Sequence, residues 1–127
     1  NNEKYTFNLE DVKIPALNYR PDRYKSQLKN PSDVWRFSLV SGNAIERTEH
    51  PAQFPELLIE RIIKVGTNPK DVVLDPFMGS GTVANVAKRL DRNYLGYEIN
   101  KDYIEIARKR LNEPAKQEEL AFFSYGI

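Results

Sequence analysis

From residue 55 onward the apolar positions fall into two periods, one helical and one strand-like. In PELLIERIIKVG, Leu58, Ile59, Ile62, Ile63 and Val65 line a broad apolar face; Pro55 reads as the first helical position, Glu56 stands beside it, and Gly66 supplies the stop. Asp71-Val72-Val73-Leu74 is a short run with continuous apolar character, the pattern of a strand buried on both faces of a parallel sheet. A glycine-spaced turn follows. Val83, Val86, Ala87 and Leu90 then recur at i, i+3, i+4 and i+7, which predicts a helix laid on that strand. Asp91-Arg92-Asn93 turns the chain into a second strand, Tyr94 to Glu98, and Asp102 is placed to cap a further helix carrying Ile106, Ala107, Arg110 and Leu111. The tail LAFFSYGI reads as one more strand. Strand, helix, strand, helix argues for an α/β fold, part of a doubly wound, Rossmann-like sheet.

Residues 1 to 50 have neither period. Pro15, Pro21 and Pro31 punctuate scattered apolar pairs, so short strands and loops are expected there. The change near Gly42 to Pro51 divides the chain into a loop-rich region, 1–50, and an α/β region, 51–127.

At 127 residues the chain fits one compact unit with a real core, near the lower size limit for a complete enzyme. Apolar residues make up 40% and charged residues 29%, too mixed for wholesale disorder. No membrane span or signal peptide is visible, which suits a cytoplasmic protein. With no cysteine and a single histidine, His50, neither a disulfide framework nor a zinc site is expected. Charge changes the picture in one place: residues 13–36 hold six basic residues against two acids, whereas residues 37–127 hold twelve against thirteen. Arg20, Arg23, Lys25, Lys29 and Arg36 alternate with Tyr19, Tyr24, Trp35 and Phe37, an arrangement suited to phosphate contact with stacking. A solvated loop whose aromatics belong to a nearby core is the competing reading.

The turn between the first predicted strand and its helix reads DPFMGSGTVA. Gly79, Gly81 and Ala84 satisfy the G-x-G-x-x-G/A pattern in the required setting, and Glu98 follows at the end of the next strand, placed to take two ribose hydroxyls. Asp75 separates the candidate ligands. A dinucleotide would bring a pyrophosphate against this carboxylate, which is repulsive. S-adenosylmethionine has no phosphate and carries an ammonium and a sulfonium that a carboxylate favours. A nucleoside triphosphate loop is excluded, because Thr82 and Val83 follow the glycines where a lysine is needed.

These residues resemble the amino-methylating DNA methyltransferases, which modify the exocyclic amine of adenine or cytosine. DPFMGSGT is similar to their cofactor motif. HPAQFPELLIERII at 50–63 is similar to the preceding helix, and LGYEIN at 95–100 and VWRF at 34–37 extend the likeness. The resemblance implies a methyltransferase-type sheet that binds S-adenosylmethionine. It places Asp75, Phe77, Gly79, Ser80, Gly81 and Thr82 around the methionine and ribose, Glu98 on the ribose hydroxyls, Ile99 on the adenine, and His50 and Phe54 at the methionine end. Two readings of His50 stand, a ligand contact or a helix-entry residue shaping a turn before proline. Phe54 and Phe77 also have core packing as an ordinary fate.

One departure outweighs the matches. Family members carry a catalytic loop of Asp, Asn or Ser followed by Pro-Pro and an aromatic, and this chain has no Pro-Pro. No residue of the chain is therefore assigned a catalytic role, and a complementary segment or chain is expected to supply that loop. The resemblance also implies that residues 1–50 end a target-recognition region, with Arg20, Arg23, Lys25, Lys29 and Arg36 on double-stranded DNA. The expected activity is restriction-modification-type DNA methylation with no metal. A non-catalytic DNA- or cofactor-binding specificity subunit, and an RNA methyltransferase component, remain alternatives.

Overall fold

The computed structural model describes residues 5–16, 20–23 and 26–113. The strand expected in the tail lies outside them. After a 3-10 turn at Leu9–Val12, the elements are β1 (Ile14–Pro15), β2 (Leu28–Lys29), α1 (Glu56–Gly66), β3 (Val72–Asp75), α2 (Thr82–Arg89), β4 (Asn93–Gly96) and α3 (Lys101–Asn112).

β3 and β4 pair in parallel, Val72 opposite Asn93 through Asp75 opposite Gly96, with α2 as the crossover. α2 packs on both strands and lies between α1 and α3. Its periodic positions do what the spacing predicts: Val86 and Ala87 are fully buried against Ile59 and Ile63 of α1, and Val73, Val83 and Leu90 close around them. The α2 C-terminus is a Schellman turn. Arg92 N–H donates to the Ala87 carbonyl and Asp91 N–H to that of Lys88, with Asp91 in the left-handed region at φ 62°.

Two local expectations need correction. Pro55 is the N-cap of α1, one residue before the first helical position, because its ψ of 132° is extended. The freed N–H of Glu56 is taken by the Glu46 carboxylate at 2.9 Å. The helix stops at Gly66 as expected, and the hydroxyl and N–H of Thr67 both donate to the Ile63 carbonyl. α3 is capped by Asn100, whose side-chain oxygen accepts the Asp102 N–H at 2.9 Å; Asp102 lies inside the first turn.

The largest correction concerns β3. Its burial alternates: Val73 faces α2, whereas Val72 and Leu74 are 66% and 59% exposed, and Leu95 beside them on β4 is 49% exposed. One face of the sheet is thus covered and the other is apolar and open among the described residues. A short apolar run carries no information on whether its second cover lies in the same stretch of chain.

The described residues up to 50 form turns and, besides the 3-10 turn, a two-residue antiparallel pairing, Ile14 with Lys29 and Pro15 with Leu28, as expected. They are anchored on α1. The Asn8 amide donates to the Lys64 and Thr67 carbonyls at the end of that helix, and its N–H to that of Val65. No helix among the described residues is long and apolar enough to cross a membrane.

Candidate cofactor site

The turn joining β3 to α2 lies at the carboxyl ends of the parallel strands, where ligands bind in open α/β sheets. Backbone pairing runs past the strands into it: Tyr97 N–H donates to the Asp75 carbonyl at 3.0 Å and Met78 N–H to that of Tyr97 at 2.8 Å. At the strand end Asp75 accepts the Phe77 N–H at 3.1 Å, which folds the chain back over itself. Gly79 and Gly81 then take φ of 51° and 77°, a region that L side chains rarely occupy.

Each glycine also marks a close approach. A Cβ on Gly79 would lie 2.8 Å from His50 Nε2, and one on Gly81 would lie 2.9 Å from the Cβ and 3.2 Å from the Cα of Ala107 on α3. His50 is thereby brought onto the turn from 29 residues upstream, its ring edge-on to Tyr103 with centroids 4.3 Å apart.

Glu98 ties the two strand ends together. Its Oε2 accepts the Gly79 N–H at 2.8 Å, while Oε1 accepts those of Ile99 at 2.9 Å and Asn100 at 2.8 Å. These donors, Asn100 first, hold its carboxyl below the ordinary value of 4.5, and the nearby His50 acts in the same direction, against the opposing effect of partial burial. Two apolar side chains of the strand-end loops stand in the open: Phe77 is 88% and Ile99 99% exposed. Phe54 is exposed as well, so none of the three is a core residue.

Ser80 and Thr82 are placed differently from their neighbours. Both are buried, and both hydroxyls accept hydrogen bonds from Arg110 of α3, at 3.3 and 3.0 Å. Their side chains support the turn from beneath. Arg110 and Tyr103 were missed by sequence reasoning, although the signal was present: Tyr103, Ala107 and Arg110 fall at i, i+4 and i+7, one face of α3, directed at the turn.

Arg20, Arg23, Lys29 and Arg36 are exposed, Arg23 pairs with Asp22 at 3.8 Å, and Lys25, Tyr19 and Tyr24 lie outside the described residues. Trp35 and Phe37 both take a cation: the Arg61 guanidinium of α1 lies 5.0 and 5.1 Å from their ring centroids. No group of three or more metal-ligating side chains occurs among the described residues.

Residues 1–109 match a family model described as DNA methylase, of the N6/N4 type. The chain is 46% identical over 110 residues to the type II methyltransferase M.HpaI of Haemophilus parainfluenzae, covering 87% of this chain and 35% of that protein. It is 43% identical over 119 residues to the type II methyltransferase M.BglII of Bacillus subtilis, covering 86% and 33%. A crystal structure of an M1.HpyAVI–SAM complex superposes with a TM-score of 0.57 at 38% identity, over 88% of this chain and 46% of that one. The chain spans about a third of the length of these two curated relatives. With most of its length inside the family match and its α/β architecture shared with the superposed structure, the chain belongs to the N6/N4-type DNA methylase family.

Proposed function

We propose that the β3–α2 turn holds S-adenosylmethionine and that the chain is the cofactor-binding portion of a site-specific DNA amino-methyltransferase. The observation that carries this reading is the pair of carboxylates at the turn: Asp75 ends β3, and Glu98, held ionised by three backbone N–H groups, lies against Gly79. Two negative charges disfavour a pyrophosphate and favour a cationic nucleoside. When bound, S-adenosylmethionine supplies a methyl group activated by its sulfonium. In this reading Asp75 and the Gly79–Gly81 backbone face the methionine part, and Glu98 takes the ribose hydroxyls. Exposed Phe77 and Ile99 bury apolar surface against the ligand, and His50 and Phe54 close the methionine end. Three donors already take three of the roughly four acceptor positions of the Glu98 carboxylate, so two ribose hydroxyls need at least one position to be shared.

The catalytic loop comes from a complementary segment or partner chain, since no Pro-Pro-aromatic sequence occurs here. The open sheet face fits such an addition. Covering Val72, Leu74 and Leu95 contributes about 1–2 kcal/mol each when they pass from half exposed to buried. Residues 1–50 form the end of the recognition region, with Arg20, Arg23, Lys25, Lys29 and Arg36 on DNA phosphates. The test is methyl transfer from labelled S-adenosylmethionine to duplex DNA by the chain, by the complementary segment and by their mixture. Transfer by the mixture alone is expected. Transfer by the chain alone, or equal transfer to RNA, would overturn the assignment.

A further inference from the structure

Arg110 occupies a position that the proposed cofactor contacts leave unexplained. It is a cation beside the N-terminus of α2, the positive end of that helix dipole, where a positive charge is unfavourable unless specific partners offset it. Those partners are present. One guanidinium nitrogen, Nη1, donates to the Ser80 carbonyl at 3.1 Å, the Ser80 hydroxyl at 3.3 Å and the Thr82 hydroxyl at 3.0 Å. The other, Nη2, donates to Glu56 of α1 at 2.6 Å. Both side chains are nearly buried, 11% exposed for Arg110 and 13% for Glu56.

The Glu56 carboxylate is itself fixed by Asn85 at 3.0 Å and Arg89 at 2.6 Å, and Arg89 bridges on to Glu60 at 3.1 Å. Three helices thus share one charge network, and Arg110 extends it to the glycine turn. We infer that Arg110 is a positioning residue for the cofactor turn, clamping the Ser80–Gly81 peptide in its binding orientation through the Ser80 carbonyl while Glu56 holds the guanidinium in place.

The geometry explains why the turn needs this clamp. Gly81 is the N-cap of α2 and has no side chain to fix the helix entry. Glycine leaves the backbone free, so the peptide planes must be held from outside. The Gly79 N–H is held by Glu98 and the Gly81 N–H by the Met78 carbonyl at 2.8 Å. The Ser80 carbonyl, at the other end of the Ser80–Gly81 peptide, is held by Arg110. Lysine cannot replace it, because a single ammonium cannot span the turn and Glu56 with a planar fork.

The inference rests on the proposed cofactor reading for its functional consequence, but not for the clamp itself. The test compares Arg110→Lys with Arg89→Lys, which perturbs the same network away from the turn. Three quantities are measured on the chain: S-adenosylmethionine affinity by calorimetry, Tm, and hydrogen exchange of the amides at 79–83. R110K is expected to weaken binding roughly tenfold, the worth of one charge-assisted hydrogen bond, and to speed exchange at those amides. R89K is expected to lower Tm as much while leaving both site readouts unchanged. If the two variants lose affinity and protection in proportion to Tm, or R110K leaves exchange at 79–83 unchanged, the clamp is refuted. A wild-type chain that binds no S-adenosylmethionine while R110K still opens the turn would overturn the cofactor reading and support the clamp.

Discussion

Gly81→Ala separates two physical demands on the glycine turn, conformation and space. At φ 77° a residue with a Cβ costs about 1–2 kcal/mol relative to glycine. The added Cβ would also meet Ala107 at 2.9 Å from its Cβ and 3.2 Å from its Cα. That neighbour is the backbone of α3, which cannot swing aside as a flexible side chain can. Displacing packed structure of this kind costs about 1–3 kcal/mol, for a total of roughly 2–5 kcal/mol. Two other glycines calibrate the terms. Gly42 has φ 56° with nothing within 4 Å of a Cβ, so Gly42→Ala isolates the conformational cost. Gly66 ends α1 with no such φ and equally open space, so Gly66→Ala is expected to stabilise by up to about 1 kcal/mol. Urea unfolding followed by circular dichroism gives each value, with midpoints compared at constant slope. The expected order of stability is G66A, wild type, G42A, G81A. A G81A variant no less stable than G42A would refute the claim that α3 closes against the turn at Gly81.

Other expectations follow from single contacts. Replacing Asn100 by alanine should destabilise α3 by about 1 kcal/mol, and Asp102→Ala by a few tenths at most, measured by the same unfolding assay. Because folding lowers the Glu98 carboxyl below its ordinary value, its stabilising contribution is present above pH 4.5 and is lost as pH falls through the lowered folded-state value. Glu98→Gln should therefore lower stability at neutral pH and flatten the acid limb of stability against pH; parallel limbs for the two proteins would count against the three-donor arrangement. Trp35 is the single tryptophan, so Arg61→Ala should shift its emission to the red as the guanidinium leaves the ring, while unchanged emission would mean that Trp35 is held without Arg61.

Much of the α/β half was legible because burial and helical period coincide there. Val83, Val86, Ala87 and Leu90 could satisfy only one face, and that face is the core. The open face of β3 was not legible, since Val72 and Leu74 read the same whether their cover lies nearby or elsewhere. Asn100 and Asp102 are both good caps; which one acts depends on where the chain leaves the strand, a tertiary matter. In the site, Gly79, Gly81 and Glu98 stood out because backbone geometry requires glycine and an acid at set positions. The directions of Ser80 and Thr82 depend on Arg110, whose helical spacing with Tyr103 and Ala107 was legible but whose partners lie in other elements. The pairing of Trp35 and Phe37 with Arg61 was not legible either, because Arg61 lies in another element.

In the proposed function two carboxylates choose a cationic nucleoside over a phosphate-bearing one. Calorimetric titration of the chain with S-adenosylmethionine and with a nicotinamide dinucleotide, repeated for Asp75→Ala and Glu98→Ala, tests it most directly. Binding of S-adenosylmethionine alone is expected, weakened by either substitution. No binding by a folded sample, equal binding after both substitutions, or a preference for the dinucleotide would contradict it.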